Sequence, residues 1–434
     1  MHIGRTLPPA ATPIGITEIV SGVCGIFHGQ KELERFQSEL KEHFGVKHCF
    51  LVSSGKAAFA LALLALKELF PGRDDVLIPA FTCFSVPSSV VRAGLRIRLC
   101  DLHPETLDFD FAQLSALLSK ASRPRQADAC LAGSVTSFPG ESSGAANDSG
   151  DSIKRLLAVV PTHLFGFPSD VPRLRKLIQD SGVTIVEDAA QAMGETMENR
   201  KLGTLGDISF FSLGRGKALS VVEGGIILTN RDDLAESLRD LVGRLPRYGV
   251  VTLLNLIFKA AAMMIFIHPR LYWVPRNLPF LKLGETLFEP HFPILKMSSF
   301  QAGLARNWRG KLEKLRDARR KKTDRWIAIL EASRNHGSYV LGGQSPGLLR
   351  FPIRLSDKKN RESLLRESAR KGMGIMPVYP TSINAIPELR GKIEGGAFPV
   401  AESCASELVT LPTHGYLTED DITELSKLIS RALG

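Results

Sequence analysis

Seven short apolar runs, each bounded by turn residues, recur through the first half of this 434-residue chain. They are "CFLVSS" (49–54), "DVLIPA" (75–80), "LRIRLCDL" (95–102), "LLAVVPT" (156–162), "VTIVEDAA" (183–190), "DISFFSL" (207–213) and "GGIILTN" (224–230). Their length and β-branched content suit strands buried on both faces. Helical patterns separate them, such as "KAAFALALLALKELF" (56–70) and "DVPRLRKLIQDSG" (170–182), the second ending in a glycine stop. Strand and helix in alternation constrain the chain to an α/β architecture around a mostly parallel sheet.

Two stretches depart from that rhythm. Residues 121–154 are rich in Ser, Gly, Ala and Pro and read as a flexible surface insertion without catalytic weight. After about residue 297 a long charged helix, "KLEKLRDARRKKTDRWIAILEAS", leads into "LLRFPIRL", the helical "RESLLRESARKG" and a terminal helix after "LTEDDI". The expected organisation is therefore a large domain over 1–243, an apolar insertion over 244–292 and a smaller α+β domain over 293–434.

The formal net charge of +10 points to an anionic partner without choosing its kind. The basic run Arg316–Lys322 reads as a solvated helix face rather than a nucleic-acid patch, because no aromatic residues interleave with it. The six cysteines form no CxxC pair and none stands beside histidine at metal-ligand spacing. That pattern predicts a reducing compartment, free thiols and no metal. The opening "MHIGRTLPPAATPIG" has no apolar core of a secretory signal, which predicts a cytoplasmic protein.

Four motifs carry chemistry. "SSGKAAF" (53–59) is a small-residue turn that follows a strand and opens a helix, the setting in which backbone N–H groups receive a phosphate. "IVEDAAQA" (185–192) puts acids at the C-terminal end of a strand, the edge where open α/β sheets bind ligands. Asp188 there either pairs with a protonated ring nitrogen or caps the next helix. Gln191 is placed to donate to a ring oxygen. "FFSLGRGK" brings Ser212 and Lys217 to the same edge, and "EGGIILTN" returns the chain to the sheet. Taken singly, Lys217 is a solvated loop lysine. Together, a phosphate cup, an acid for a ring nitrogen and a loop lysine describe a pyridoxal phosphate site.

The wording and order of these motifs resemble the DegT/DnrJ/EryC1/StrS family of pyridoxal-phosphate-dependent sugar aminotransferases. "SSGKAAFAL", "IPAFTCFSVPSSVVRAG", "THLFGFPSD", "VEDAAQAMG", "GDISFFSLGRGKALSVVEGG", "MSSFQAGLA" and "FPVAESCASELVTLPTH" all fit. The resemblance implies the aspartate aminotransferase type I fold with a seven-stranded sheet, and a homodimer. It implies that Lys217 is the Schiff-base lysine and that Asp188 keeps the pyridine nitrogen protonated. It further implies Gln191 near the phenolic oxygen, and Ser54, Gly55 and Ser212 on the phosphate. Family dehydratases carry histidine where Lys217 stands, so the lysine favours transamination. Three positions depart from the family pattern. Lys56 replaces a threonine and either adds charge to the phosphate or points away. Cys83 replaces an aromatic residue, leaving ring stacking to Phe84 or Phe81. Ile294 stands where the family has an asparagine that reaches the partner subunit's phosphate.

"VVTLLNLIFKAAAMMIFI" (250–267) is outside this resemblance. Its strongly polar residues, Thr252, Asn255 and Lys259, share one stripe at helical period. Basic and aromatic residues flank it, among them Arg244, Arg247, Arg270, Tyr272, Trp273 and Arg276. As a helix it would run about 27 Å, marginal for crossing a bilayer. It reads as a helix lying in a membrane interface, with 250–276 touching the inner face of the cell membrane, or else as a segment packed in a dimer interface or under the small domain. The chain as a whole reads as a transferase that moves an amino group from an amino acid, with glutamate as donor, to a keto-sugar on a nucleotide or lipid carrier. Its rivals are a sugar dehydratase or lyase and a silent scaffold of the same fold.

Overall fold

The computed structural model describes residues 2–120, 154–179, 181–281, 283–332, 346–393 and 396–433. The serine-rich insertion expected over 121–154 thus lies, apart from Lys154, outside the described residues. All seven apolar runs become strands: β1 (His48–Val52), β2 (Asp75–Pro79), β3 (Arg96–Cys100), β4 (Leu156–Val159), β5 (Thr184–Asp188), and, after the short hairpin β6 (Thr196–Met197) and β7 (Arg200–Lys201), β8 (Ile208–Ser212) and β9 (Gly225–Thr229). They form one sheet in the order β1-β9-β8-β5-β4-β2-β3. Every pairing from β8 to β3 is parallel, while β9 runs antiparallel to both β8 and β1. The reversal between β8 and β9 is the loop that holds Lys217.

The helices before and around this sheet are α1 (Ile16–His28), α2 (Gln30–Phe44), α3 (Gly55–Leu69), α4 (Ser85–Arg92), α5 (Phe111–Lys120), α6 (Val171–Ile178) and α7 (Asp232–Arg244). α3 is Ala- and Leu-rich and buried almost all round, so it is the helix laid across the sheet. Ser54 starts it by accepting the Ala57 N–H at 3.1 Å, and Phe59 stacks on Phe210 of β8 at 4.6 Å between ring centroids.

The insertion forms α8 (Val250–Phe266) and the short α9 (Trp273–Arg276). α10 (Ser299–Leu304) and the long α11 (Trp308–Ala332) lead to the C-terminal unit. There β10 (Arg350–Arg354), β11 (Met376–Pro377) and β12 (Leu408–Pro412) form an antiparallel sheet in the order β10-β12-β11, beside α12 (Lys358–Lys371), α13 (Pro399–Glu407) and α14 (Glu419–Leu433). The start of the chain lies against this unit: Arg5 pairs with Asp421 at 2.6 Å and the Leu7 N–H donates to the Gly372 carbonyl at 2.7 Å. From there the chain runs to the Lys217 loop, which joins both parts of the molecule to the site.

Candidate active site

Register places the motifs side by side. Gly225, the first residue of β9, faces Ser212 on one neighbour and Val52 on the other. Ser53, Ser54 and Gly55 follow Val52 directly, so the "SSG" turn, Ser212 and the "EGG" turn share one edge of the sheet. They touch so closely that two glycines are required. A Cβ on Gly225 would come within 2.1 Å of the Ser54 carbonyl oxygen, and one on Gly55 within 2.7 Å of Ser212 Cβ. Ahead of the Ala57 N–H that Ser54 caps, the N–H groups of Gly55 and Lys56 open the helix beside Ser212, a cradle for an anion.

Two strands further on, β5 ends at the same edge. Successive residues face opposite ways, and the two acids have separate tasks. Glu187 faces inward and anchors the 203–206 turn, taking the Gly203 N–H at 2.9 Å, the Leu205 N–H at 2.5 Å and the Gly206 N–H. His163 Nε2 donates to it at 2.9 Å, its tautomer set by the Ser169 N–H donated to Nδ1 at 3.0 Å. Burial alone would push the Glu187 carboxyl up; these donors, His163 first, hold it below the usual glutamate range. Asp188 faces the site. It is 5% exposed and accepts the Ala190 N–H at 3.0 Å. Burial pushes its carboxyl above the usual range, opposed by that N–H and by the charges of Lys217 and His163. The helix-cap alternative finds no support, since Asp188 is followed by a turn and not by a helix.

Gln191 bridges to the C-terminal unit. Its Oε1 accepts the Phe165 N–H at 3.2 Å, which turns Nε2 toward Tyr379, whose Oη accepts at 3.1 Å. Phe81 leans on the Tyr379 ring at 5.1 Å. Phe84 is buried at the start of α4. Cys83 lies near Tyr379 and Arg350.

Lys217 stands in the β8–β9 loop, half-buried, near enough to Asp188 for its charge to act on that carboxyl. Its main chain is held from two directions. Thr12, from the N-terminal segment, donates its hydroxyl to the Lys217 carbonyl at 2.5 Å. Arg319, from α11, donates to the Lys217 carbonyl at 3.2 Å, the Ala218 carbonyl at 3.1 Å and Thr12 Oγ1 at 3.0 Å. Here the structure departs from the reading of Arg316–Lys322 as a solvated face. Arg319 is 3% exposed, and burial pushes its guanidinium down to about 10, against the opposing charge of Glu195. Arg316 turns to the Gly194 carbonyl at 2.8 Å, while Lys322 stays at the surface with Glu419 at 3.0 Å. One signal for Arg319 was present: it lies seven residues from both Leu312 and Trp326, on the stripe that α11 buries. Thr12 and Tyr379 left no such signal.

Lys56, on the first turn of α3, sends its ammonium to Glu289 at 2.8 Å and over the Phe292 ring at 4.8 Å from the centroid. Its partner arrives from the far end of the insertion.

These residues fit pyridoxal phosphate on observations of their own. Asp188 is a buried carboxylate that accepts a single backbone N–H among the described residues, and the buried Thr162 hydroxyl, whose residue bridges to Asp188, has no hydrogen-bond partner there. The pair has donor and acceptor capacity to spare for a ring nitrogen, and the α3 cradle lies along the same edge for a phosphate. Residues 23–251 and 292–430 match the DegT/DnrJ/EryC1/StrS aminotransferase family. The chain belongs to this family. It is a pyridoxal-phosphate-dependent aminotransferase with the aspartate aminotransferase type I fold. GDP-perosamine synthase of Caulobacter vibrioides is 26% identical over 412 residues, covering 92% of this chain and 89% of that protein. Among solved structures, PseC of Helicobacter pylori, an aminotransferase involved in pseudoaminic acid biosynthesis, superposes with a TM-score of 0.72 at 15% identity over 99% of both chains. The GDP-4-keto-6-deoxy-D-mannose-3-dehydratase of E. coli, with bound hydrated PLP, has a TM-score of 0.70 at 17% identity, over 98% of this chain and 100% of that one. These two likenesses show the shared fold. The family match breaks off at 251 and resumes at 292, so α9 and all of α8 but its first two residues lie outside it.

Proposed function

We propose that this aminotransferase moves an amino group from an amino acid, with glutamate as the donor, to the carbonyl of a keto-sugar held on a nucleotide or lipid carrier. The product would enter cell-surface polysaccharide or glycolipid synthesis. The reading includes a homodimer, supported by an exposed apolar stripe on α1 made of Ile16, Val20, Val23 and Phe27. It also includes a cytoplasmic place with 250–276 at the inner face of the membrane. The sugar substrate is supported by the relatives, of which GDP-perosamine synthase is one.

One observation carries the reading: a buried carboxylate, Asp188, lies within reach of the charge of a loop lysine, Lys217, at the C-terminal edge of the sheet, beside the α3 cradle. Pyridoxal phosphate supplies an electron sink for a carbon that loses its proton. Asp188 would hold the proton on the pyridine nitrogen, which a carboxylate without a cationic hydrogen-bond partner is free to do. Ser54, Gly55 and Ser212 would hold the phosphate. Gln191 and Tyr379 close the site toward the C-terminal unit and exclude water there. Lys217 Nζ would take the proton from the donor's α-carbon and return one to the sugar carbon that gains nitrogen. Its main chain is clamped by Thr12 and Arg319, so the amine works from a fixed base.

The test is a pair of half-reactions. Glutamate should convert the yellow enzyme to its pyridoxamine form, and a panel of nucleotide-linked keto-sugars should restore the original spectrum with formation of an amino-sugar. Loss of a sugar hydroxyl without amination would move the enzyme to the dehydratases. No spectral change with any amino acid would contradict the reading.

A further inference from the structure

We propose that the segment 250–276 seats this protein on an anionic lipid surface, with α8 lying flat in the membrane interface. α8 buries Leu256 and Ala260 against the core of the large domain. Its outer side is left bare. Val250, Val251, Leu254, Phe258 and Ile265 are all exposed, Val251 at 81% and Phe258 at 71%. At helical pitch these five positions fall within a sector of about 100°. Thr252, Asn255 and Lys259, also exposed, form a polar strip beside them. An outward helix face divided into an apolar and a polar half is the form of a helix half-immersed in a bilayer surface. Among the described residues no helix is long and apolar enough to cross a membrane, so α8 would lie on the surface.

Charge selects the occupant. From residue 241 to 284 the chain holds no Asp or Glu, while six Lys and Arg residues stand there: Arg244, Arg247, Lys259, Arg270, Arg276 and Lys282. Arg244, Arg247, Lys259 and Arg270 are exposed around the apolar stripe. A twofold contact between two copies would set this patch against itself, bringing the same cations together with no acid of the segment between them. Anionic headgroups neutralise those cations while the acyl boundary takes the apolar stripe. The segment is also tied to the enzyme and is no free tail: the Thr6 N–H donates to the Pro269 carbonyl at 2.8 Å, and Asn277 Nδ2 to the His2 carbonyl at 3.1 Å. Docking would therefore fix the orientation of the whole molecule on the bilayer. The proposal does not depend on the reaction catalysed.

Flotation of the full-length, cofactor-loaded protein with vesicles tests it. Wild type should float with phosphatidylcholine vesicles that contain phosphatidylglycerol, and poorly with phosphatidylcholine alone. Each exposed cation is worth about 1 kcal/mol at such a surface, or roughly five-fold in partition, so R244E/R247E should sharply cut flotation on the anionic vesicles only. L254S/F258S should cut it roughly ten-fold even at low salt. All these side chains face solvent, and an unchanged thermal midpoint and cofactor spectrum show that the variants fold; V251S offers a milder second change on the same face. Wild-type protein that stays behind with the anionic vesicles overturns the proposal, as does flotation indifferent to either pair. Conversion of a dimer to a monomer by L254S/F258S, in a protein that never floats, would make the face an interface between copies and overturn it equally.

Discussion

The guanidinium of Arg319 and the hydroxyl of Thr12 meet on one atom, the main-chain carbonyl oxygen of Lys217, at 3.2 and 2.5 Å. The long helix α11 and the N-terminal segment thus converge on the backbone of the one lysine in the β8–β9 loop. Replacing Arg319 by Met would leave the Lys217 and Ala218 carbonyls and Thr12 Oγ1 without this donor in a buried place. The expected cost is about 3 kcal/mol of stability. Turnover should fall at least ten-fold, since a loosened lysine is misplaced. R319K, which keeps the charge, should recover part of both. Thermal unfolding together with a kcat and KM comparison checks it; a fall in stability with unchanged kcat would make Arg319 purely structural.

Asp188 should show opposite signs in stability and activity. Its folded carboxyl lies above the unfolded range because it is buried. Such an acid binds more protons folded than unfolded, so its ionisation lowers stability as pH rises above the unfolded value. D188N removes that charge and keeps the acceptor for the Ala190 N–H. Cofactor-free D188N should melt at or above the wild-type temperature at neutral pH, while loaded D188N turns over ~100-fold more slowly or worse. A lower melting temperature with normal turnover would remove Asp188 from the site.

Glu187, its neighbour in sequence, should behave in the reverse way. Its folded carboxyl is held below the unfolded range by His163 and the 203–206 turn. The stabilisation is fully present above the unfolded value, near 4.5, and is lost as pH falls through the folded value. E187Q should therefore melt several degrees lower at neutral pH and lose part of the wild type's acid sensitivity below pH 4.5. A melting profile parallel to wild type across that range would contradict the assignment.

Gly225 carries a steric prediction. G225A drives a methyl group into the Ser54 carbonyl, and the phosphate cradle or β9 must shift. The expected cost is about 2–3 kcal/mol, with weaker retention of the cofactor on dialysis. Wild-type retention would show that the turn relaxes without consequence.

The sheet was legible in the sequence because strands buried on both faces leave short apolar runs, and all seven runs became its seven strands. Lys217 and Asp188 stood out because each is a charge placed at the end of such a run. Other parts were hidden for physical reasons. Arg319 sits inside a basic run, and its burial depends on where residues 5–14 pass, which no local pattern encodes. Lys56 meets Glu289, 233 positions later, only because the insertion folds back across α3. The aromatic side of the site depends on Tyr379 arriving from the C-terminal unit to meet Gln191. That 250–266 is helical with a broad apolar face was readable from the sequence; the choice between that face turned outward and that face packed under the small domain was not, because no local pattern encodes what it meets.

Borohydride reduction followed by peptide mapping tests most directly whether Lys217 is the residue joined to the cofactor. The reduced, proteolysed enzyme should carry the pyridoxyl mass on the peptide spanning Lys217 alone, and K217A should carry none. A label on Lys56 or any other lysine, or one that persists undiminished in K217A, would contradict the account.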